Sequence, residues 1–118
     1  MIVAGFGFRA DARVESLASA FARAGGQAVC LATAQDKAEA AVFRRFAAGQ
    51  RVIGVGPEAI RAQRTLTQST ASLATRDTGS LAEAAALAAA GHGARLLGPR
   101  VISDDGCATC ALAEGPNL

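Results

Sequence analysis

A glycine-rich segment near the start of the chain, Gly5-Phe6-Gly7-Phe8-Arg9, has the spacing of an anion-binding turn. Such a turn between a strand and a helix lets a phosphate or carboxylate approach the backbone N–H groups at the helix start. The acidic residue that would support a dinucleotide, Asp36, lies further on than the usual ~20 residues. The segment therefore predicts a nucleotide site, a carboxylate site that uses Arg9 as its cation, or a tight turn whose glycines take positive φ.

A second candidate site, Thr78-Gly79-Ser80, precedes an alanine-rich helical segment. Ser80 and Glu83 have the spacing of a capping box, in which each side chain accepts a hydrogen bond from the other residue's backbone N–H. The same helix start is also suited to bind an anion. Glu83 is thus a helix cap or, if its carboxylate is free of the cap, the candidate catalytic group for proton transfer.

A further cation that could face a ligand is Lys37. Lys37 is the only lysine in the chain, and it lies near a predicted helix start, where the helix dipole disfavours a cation. The other basic residues are all Arg, whose planar guanidinium pairs well with carboxylates and phosphates. A net charge of +2 gives no reason to expect nucleic acid as a partner.

The three cysteines raise the question of a redox or metal site. Cys107 and Cys110 have CxxC spacing, but a redox-active pair needs a helix N-terminus, and this segment is predicted as a strand. A zinc site would also need Cys30 and the lone His92. We therefore interpret the cysteines as small buried residues and expect neither a metal nor a cofactor.

Strands and helices alternate along the chain. Apolar runs predict buried strands at residues 2–4, 28–32 and 52–55, and helical spacing predicts helices at 11–24, from 36 to 49, after Gly56-Pro57, and at 80–90. Residues 65–78, rich in Thr and Ser, are predicted as a long loop, with or without a helical turn, of a kind that is often functional. Strands near 95–97, 101–102 and 107–112, with a turn at 104–106, predict an antiparallel hairpin at one edge.

Length and composition indicate the fold class and the number of domains. A chain of 118 residues, 51% hydrophobic, predicts one domain over residues 1–118, with a three-layer α/β/α sandwich around a mixed, mostly parallel sheet. No uninterrupted apolar run is long enough to span a membrane. An odd number of cysteines and an opening that runs directly into a strand, with no leader, predict a cytoplasmic protein.

Four segments of the chain resemble a known family. They are residues 3–9, 33–37, 78–88 and 96–100, of which the third, following a GxGxR start, is the most specific. From Ile2 to about Ala113 the chain resembles the family formed by the stand-alone cobalamin-biosynthesis CobE proteins and the C-terminal domain of CbiG proteins. It departs from the family pattern at Ala40, where relatives usually have glutamate, and at Arg100, where lysine is common.

The resemblance implies a three-layer α/β/α domain that acts in corrin-ring assembly for vitamin B12, on the aerobic route. Proteins with the CbiG arrangement open a lactone on a cobalt-containing, ring-contracted intermediate. Because the chain resembles only the C-terminal part of those proteins, that hydrolysis does not transfer directly. Whether this chain catalyses a step is left open.

A corrin intermediate is a flat apolar ring edged by acetate and propionate carboxylates, so its site needs an apolar wall rimmed by cations and N–H donors. The leading hypothesis is a protein that binds a precorrin or corrinoid tetrapyrrole and processes it or hands it over. The alternatives are a nucleotide-binding enzyme that uses the Gly5-x-Gly7 turn and a structural subunit that assembles with other cobalamin-pathway enzymes. The candidate ligand contacts are Gly5, Phe6, Gly7, Phe8, Arg9, Lys37, Thr78, Gly79, Ser80 and Arg100. The hypothesis requires Gly7 and Ser80 to share one pocket.

Overall fold

The computed structural model describes residues 1–76 and 78–116, with Thr75 by its backbone alone. This part of the chain contains six strands and five helices. In chain order the elements are β1 (Ile2–Phe8), α1 (Val14–Ala24), β2 (Cys30–Ala34), α2 (Ala41–Ala47), β3 (Val52–Val55), α3 (Pro57–Arg61), α4 (Thr70–Arg76), α5 (Leu81–Ala90), β4 (Arg95–Leu96), β5 (Val101–Ile102) and β6 (Ala108–Glu114). Asp77, which belongs to the predicted loop 65–78, lies outside the described residues.

The strands form one mixed sheet in the order β3-β2-β1-β6-β4, with β5 pairing to β6. Strand β2 runs parallel to both β1 and β3. Strand β6 runs antiparallel to β1, β4 and β5, and the predicted hairpin joins β5 to β6. The predicted α/β class and mixed sheet are confirmed, with parallel pairing in the β3-β2-β1 half.

Helices cover both faces of the sheet, as the three-layer prediction requires. Helix α5 crosses one face, where it packs on β1, β2 and β6, and α3 packs beside it. Helices α1 and α2 pack against each other on the opposite face. Each face has its own apolar core, one rich in the alanines of α5 and the other built on the aromatic rings of Phe6, Phe43 and their neighbours.

Strand β1 differs from its prediction. The strand extends through Phe8, so Gly5 and Gly7 lie inside it and do not form a turn. Among the glycines with positive φ, neither Gly5 nor Gly7 appears. Both predictions for this segment, the anion-binding turn and the positive-φ turn, are wrong, because β1 pairs with β2 on one side and along its whole length with β6 on the other.

The close approach of α5 explains the glycine at position 5. A Cβ on Gly5 would lie 2.1 Å from the Ala82 carbonyl oxygen and 2.5 Å from the Ala86 backbone N. Helix α5 therefore rests on bare strand backbone, and its own small side chains allow this contact. The glycine serves helix–sheet packing, a role that strand glycines commonly have.

Several element boundaries also differ from the predictions. Helix α1 begins at Val14, three residues after the predicted start at Asp11, and α2 begins at Ala41 because residues 36–39 form a turn. The predicted loop contains α4. Strand β3, the helix after Gly56-Pro57 and the alanine-rich helix are confirmed, with Ser80 as the cap of α5. In the described part of the chain, no helix combines the length and the hydropathy needed to cross a membrane.

Gly5→Ala tests the contact between α5 and β1. The added methyl group must displace backbone atoms of α5, so we expect the free energy of unfolding in urea to fall by about 3 kcal/mol or more. Gly98→Ala is the matched control, since a Cβ there meets nothing within 4 Å. Equal stability of the two variants would contradict the packing described here.

Candidate ligand-binding cleft

A cleft of about 470 Å³ lies where the end of β1, the start of α5, the α4 segment and the β5–β6 hairpin meet. Its lining includes four cations and no Asp or Glu among the described residues. The cations are Arg9, Lys37, Arg76 and Arg100. Hydroxyl groups and apolar side chains make up much of the remaining surface, which suits an anion with apolar parts.

Six of the sequence-predicted contacts line this cleft: Gly7, Phe8, Arg9, Lys37, Ser80 and Arg100. Gly7 lies directly under the start of α5, because a Cβ on Gly7 would be 3.5 Å from the Leu81 Cβ and 3.8 Å from the Ala82 backbone N. The structure thus brings Gly7 and Ser80 together in one pocket. The junction differs from the one predicted, since Gly7 is a strand residue and only Ser80 precedes a helix.

The other predicted contacts do not line the cleft. Gly5 is covered by α5, and Phe6 is fully buried in the aromatic core, with its ring 5.6 Å from that of Phe43. Thr78 is buried, and Gly79 packs against the 65–68 segment, where a Cβ would lie 2.4 Å from the Thr67 carbonyl oxygen.

Lys37 is anchored at the end of β1. Its Nζ donates a hydrogen bond of 2.7 Å to the Phe8 carbonyl oxygen and lies 4.5 Å from the centre of the Phe8 ring. Burial lowers the pKa of Lys37 below its usual value, the positive charge of Arg76 lowers it further, and Asp36 opposes both effects. An anion entering the cleft would favour the charged form of Lys37 and so be bound more tightly.

Arg76 is a cleft residue that the sequence analysis did not identify. Its guanidinium makes a bidentate pair with Asp36, with N–O distances of 2.7 and 3.0 Å, and this bonding lowers the pKa of Asp36. The pair ties the end of α4 to the turn before α2. The signal in the sequence is the polar 65–78 segment, whose composition predicts a functional loop with a helical turn at most, whereas the structure has the two-turn helix α4 with Arg76 at its end.

The predicted capping box is only half formed. Ser80 Oγ accepts from the Glu83 backbone N–H at 3.2 Å, as expected. The Glu83 carboxylate, however, turns to other donors: the backbone N–H groups of Leu66, Thr67 and Arg100, and the Thr67 hydroxyl, at 2.5 to 3.1 Å. Glu83 is fully buried and does not line the cleft. Its carboxylate accepts hydrogen bonds from segments that are near α5 in space but distant in sequence. Local residue spacing does not predict such partners.

The two cysteines of the CxxC segment have different surroundings. Cys107 is half-buried and lines the cleft, whereas Cys110 is buried in the aromatic core, where burial raises the pKa of its thiol. Cys30 is buried in the core beneath α5, as expected for a small packing residue. Within residues 1–76 and 78–116, no group of three or more His, Cys, Asp and Glu side chains is arranged to hold a metal ion.

The chain matches the model of the family described as cobalamin synthesis G C-terminus over residues 2–113. It belongs to this family. Family membership assigns the protein to cobalamin biosynthesis and confirms the resemblance found in the sequence. No curated protein sequence matches the chain significantly.

Solved structures agree with this assignment. The crystal structure of CobE, a protein from the cobalamin (vitamin B12) biosynthetic pathway, has a TM-score of 0.81 and 28% identity, over 100% of this chain and 92% of that chain. The cobalamin biosynthesis protein chiG from Agrobacterium tumefaciens has a TM-score of 0.72 and 34% identity, over 99% and 100% of the respective chains.

A cobalamin biosynthesis protein G homolog from Sulfolobus solfataricus shares the fold at a TM-score of 0.67 and 19% identity. This chain covers 36% of that longer protein, and 95% of this chain is aligned. The comparison therefore extends the likeness in fold to a protein of larger size.

The hairpin turn at one end of the cleft depends on Asp105. Its carboxylate accepts hydrogen bonds from the Ser103 hydroxyl at 2.6 Å, the Ser16 hydroxyl at 2.5 Å and the Cys107 N–H at 3.0 Å. These bonds lower the pKa of Asp105 from 3.8 to about 2. Because the ionised form is favoured in the folded state, Asp105 stabilises the fold above about pH 4, and this stabilisation is lost as the pH falls towards 2.

Asp105→Asn should therefore lower the melting temperature at pH 5 to 7, and the difference from the unmodified protein should shrink as the pH falls from about 4 to about 2. Thermal unfolding followed by circular dichroism across this pH range measures the effect. Glu58→Gln, at an exposed carboxylate on α3, controls for the loss of one negative charge. A difference that does not depend on pH would contradict the role given to the Asp105 carboxylate.

Proposed function

We propose that this protein binds a precorrin or corrinoid tetrapyrrole of the cobalamin pathway in the cleft and hands it to the next enzyme. The observation that carries the proposal is the charge of the lining, with four cations and no carboxylate among the described residues. Asp11 and Asp36 pair with Arg9 and Arg76 from outside the lining, so the charges of Lys37 and Arg100 matter most. Family membership indicates the pathway, and the charge of the lining indicates an anionic ligand.

The apolar part of the lining fits the flat face of a corrin ring. Phe8, Leu81 and Ile102 contribute to the wall, and Ile102 is a large apolar residue that is 47% exposed. A volume of about 470 Å³ falls within the ~300–1,000 Å³ common for small-molecule sites. Because the cleft opens to solvent, part of a large macrocycle can enter while the rest stays outside, where another protein can reach it.

The polar part of the lining fits the carboxylates around the ring. Lys37 is half-buried, so a nearby negative charge stabilises its protonated form. Arg100 and Arg9 add guanidinium groups, which pair well with carboxylates. Ser80 marks the start of α5 in the lining, where the helix dipole favours an anion, while its own buried hydroxyl caps the helix. The proposed setting is the cytoplasm, in keeping with three free cysteines.

The geometry favours this proposal over a nucleotide-binding enzyme. The glycine turn on which that alternative depends is not formed, because Gly5 and Gly7 lie within β1. The proposed role of the protein is binding and transfer. Glu83, the candidate proton-transfer group, is fully buried, and its carboxylate already accepts hydrogen bonds from four donors.

Titration of the purified protein with a cobalt-free corrinoid acid tests the proposal. The protein has neither Trp nor Tyr, so changes in the ultraviolet and visible spectrum report the bound pigment directly. We expect a saturable spectral change and co-elution in gel filtration. Lys37→Met should weaken binding by about tenfold, since it removes a charge-assisted contact.

Arg45→Met is the matched control, because Arg45 is exposed on α2 and does not line the cleft. Its affinity for the corrinoid acid should stay at the level of the unmodified protein. The proposal fails if the corrinoid acid produces neither a spectral change nor co-elution, or if ATP competes for the same site with higher affinity.

A further inference from the structure

The Glu83 carboxylate joins two segments that are far apart in the sequence and that meet at the cleft. Its Oε1 accepts from the backbone N–H groups of Leu66 and Thr67, at 2.5 and 3.1 Å. Its Oε2 accepts from the Arg100 backbone N–H at 2.8 Å and from the Thr67 hydroxyl at 2.9 Å. One buried side chain of α5 therefore fixes both the segment leading to α4 and the backbone of Arg100.

Arg100 is held at a second point through its side chain. Its Nη1 donates to Thr67 Oγ1 at 3.2 Å, and the same hydroxyl donates to Glu83. The Thr67 hydroxyl thus lies between the guanidinium and the carboxylate. Arg100 lines the cleft, whereas the Glu83 carboxylate stays behind it.

Arg76 and Arg100 differ in the group that their guanidinium contacts directly. Arg76, also in the cleft, is bound bidentately by the carboxylate of Asp36, so much of its charge is neutralised locally. Arg100 is held by a neutral hydroxyl, which orients the guanidinium and leaves its remaining N–H donors for a ligand. Fixing a flexible side chain in advance also reduces the entropy lost on binding.

We propose that Thr67 and Glu83 are positioning residues that hold the Arg100 guanidinium ready for a carboxylate of the ligand. This inference rests on the proposed function, because it assigns Arg100 to one carboxylate of the bound tetrapyrrole. It gives Glu83 a role distinct from proton transfer, and it adds Thr67 to the functional residues although its side chain need not touch the ligand.

A double-mutant cycle on Thr67→Val and Arg100→Gln tests the proposal. Thr67→Val keeps the shape of the side chain and the backbone N–H that Glu83 binds, and it removes only the hydroxyl. We expect each single variant to weaken binding of a cobalt-free corrinoid acid by about tenfold. If Thr67 acts through Arg100, the double variant binds no more weakly than Arg100→Gln.

Thr33→Val is the matched control for the loss of a buried hydroxyl. Thr33 Oγ1 donates to the Phe6 carbonyl oxygen within the sheet, and neither residue lines the cleft. Its removal should lower the melting temperature to a similar degree and leave the affinity unchanged. Multiplicative losses in the double variant, or an equal loss of affinity in Thr33→Val, would overturn the positioning role.

A second probe separates this inference from the proposed function. Citrate, a small tricarboxylate, is titrated while the Arg100 Nε–Hε signal is followed by nuclear magnetic resonance. The double-mutant cycle on Thr67 and Arg100 is then repeated with the dissociation constants for citrate. Coupling with citrate but no binding of the corrinoid acid would refute the proposed function and retain the positioning role. Absence of a citrate response at Arg100, or a response that Thr67→Val leaves unchanged, would refute the positioning role.

Discussion

The packing of α5 directly on the backbone of β1 is the contact on which the rest of the structure depends. A helix of small side chains can come this close to a sheet only where the strand has no Cβ, and Gly5 meets that condition. The contact fixes the height and direction of α5. It therefore fixes where the start of α5 lies, which is above Gly7 and beside the end of β1.

The cleft follows from this placement. Ser80 and Leu81 at the start of α5 face the end of β1, where Phe8 and Lys37 meet. Glu83, in the first turn of the same helix, holds the segment before α4 and the backbone of Arg100. Helix α5 thus positions Arg100, whereas Lys37 is anchored on the end of β1, and no carboxylate lines the cleft in the part described. Such an arrangement suits a ligand with several carboxylates.

Much of the fold could be predicted because it follows from local pattern. Apolar runs located the strands, and the alanine-rich stretch after Ser80 located α5. The role of Gly5 could not be predicted, because two glycines one residue apart after a short apolar run are typical of a turn. Only the long-range pairing of β1 with β6 and the contact with Ala82 and Ala86 show that it lies inside a strand.

Contacts between residues that are distant in sequence also limited the prediction of the site. Lys37, Arg100 and Ser80 were identified by residue type and family resemblance, and the structure brings them into one cleft. The partners of Glu83 were missed because they lie 16 and 17 positions away in the sequence, beyond the reach of a capping pattern. Arg76 was missed because helix α4 lacks a strong apolar period and reads as loop.

Mapping of amide chemical shifts during titration with a cobalt-free corrinoid acid tests the central claim most directly. If the tetrapyrrole binds where α5 meets the end of β1, the largest shifts will cluster at Phe8, Lys37, Ser72, Ser80 and Arg100. The groove beside β3, lined by Gln35, Gln50 and Gly54, will then show little change. Shifts concentrated at that groove, or no shifts at saturating ligand, would contradict the account.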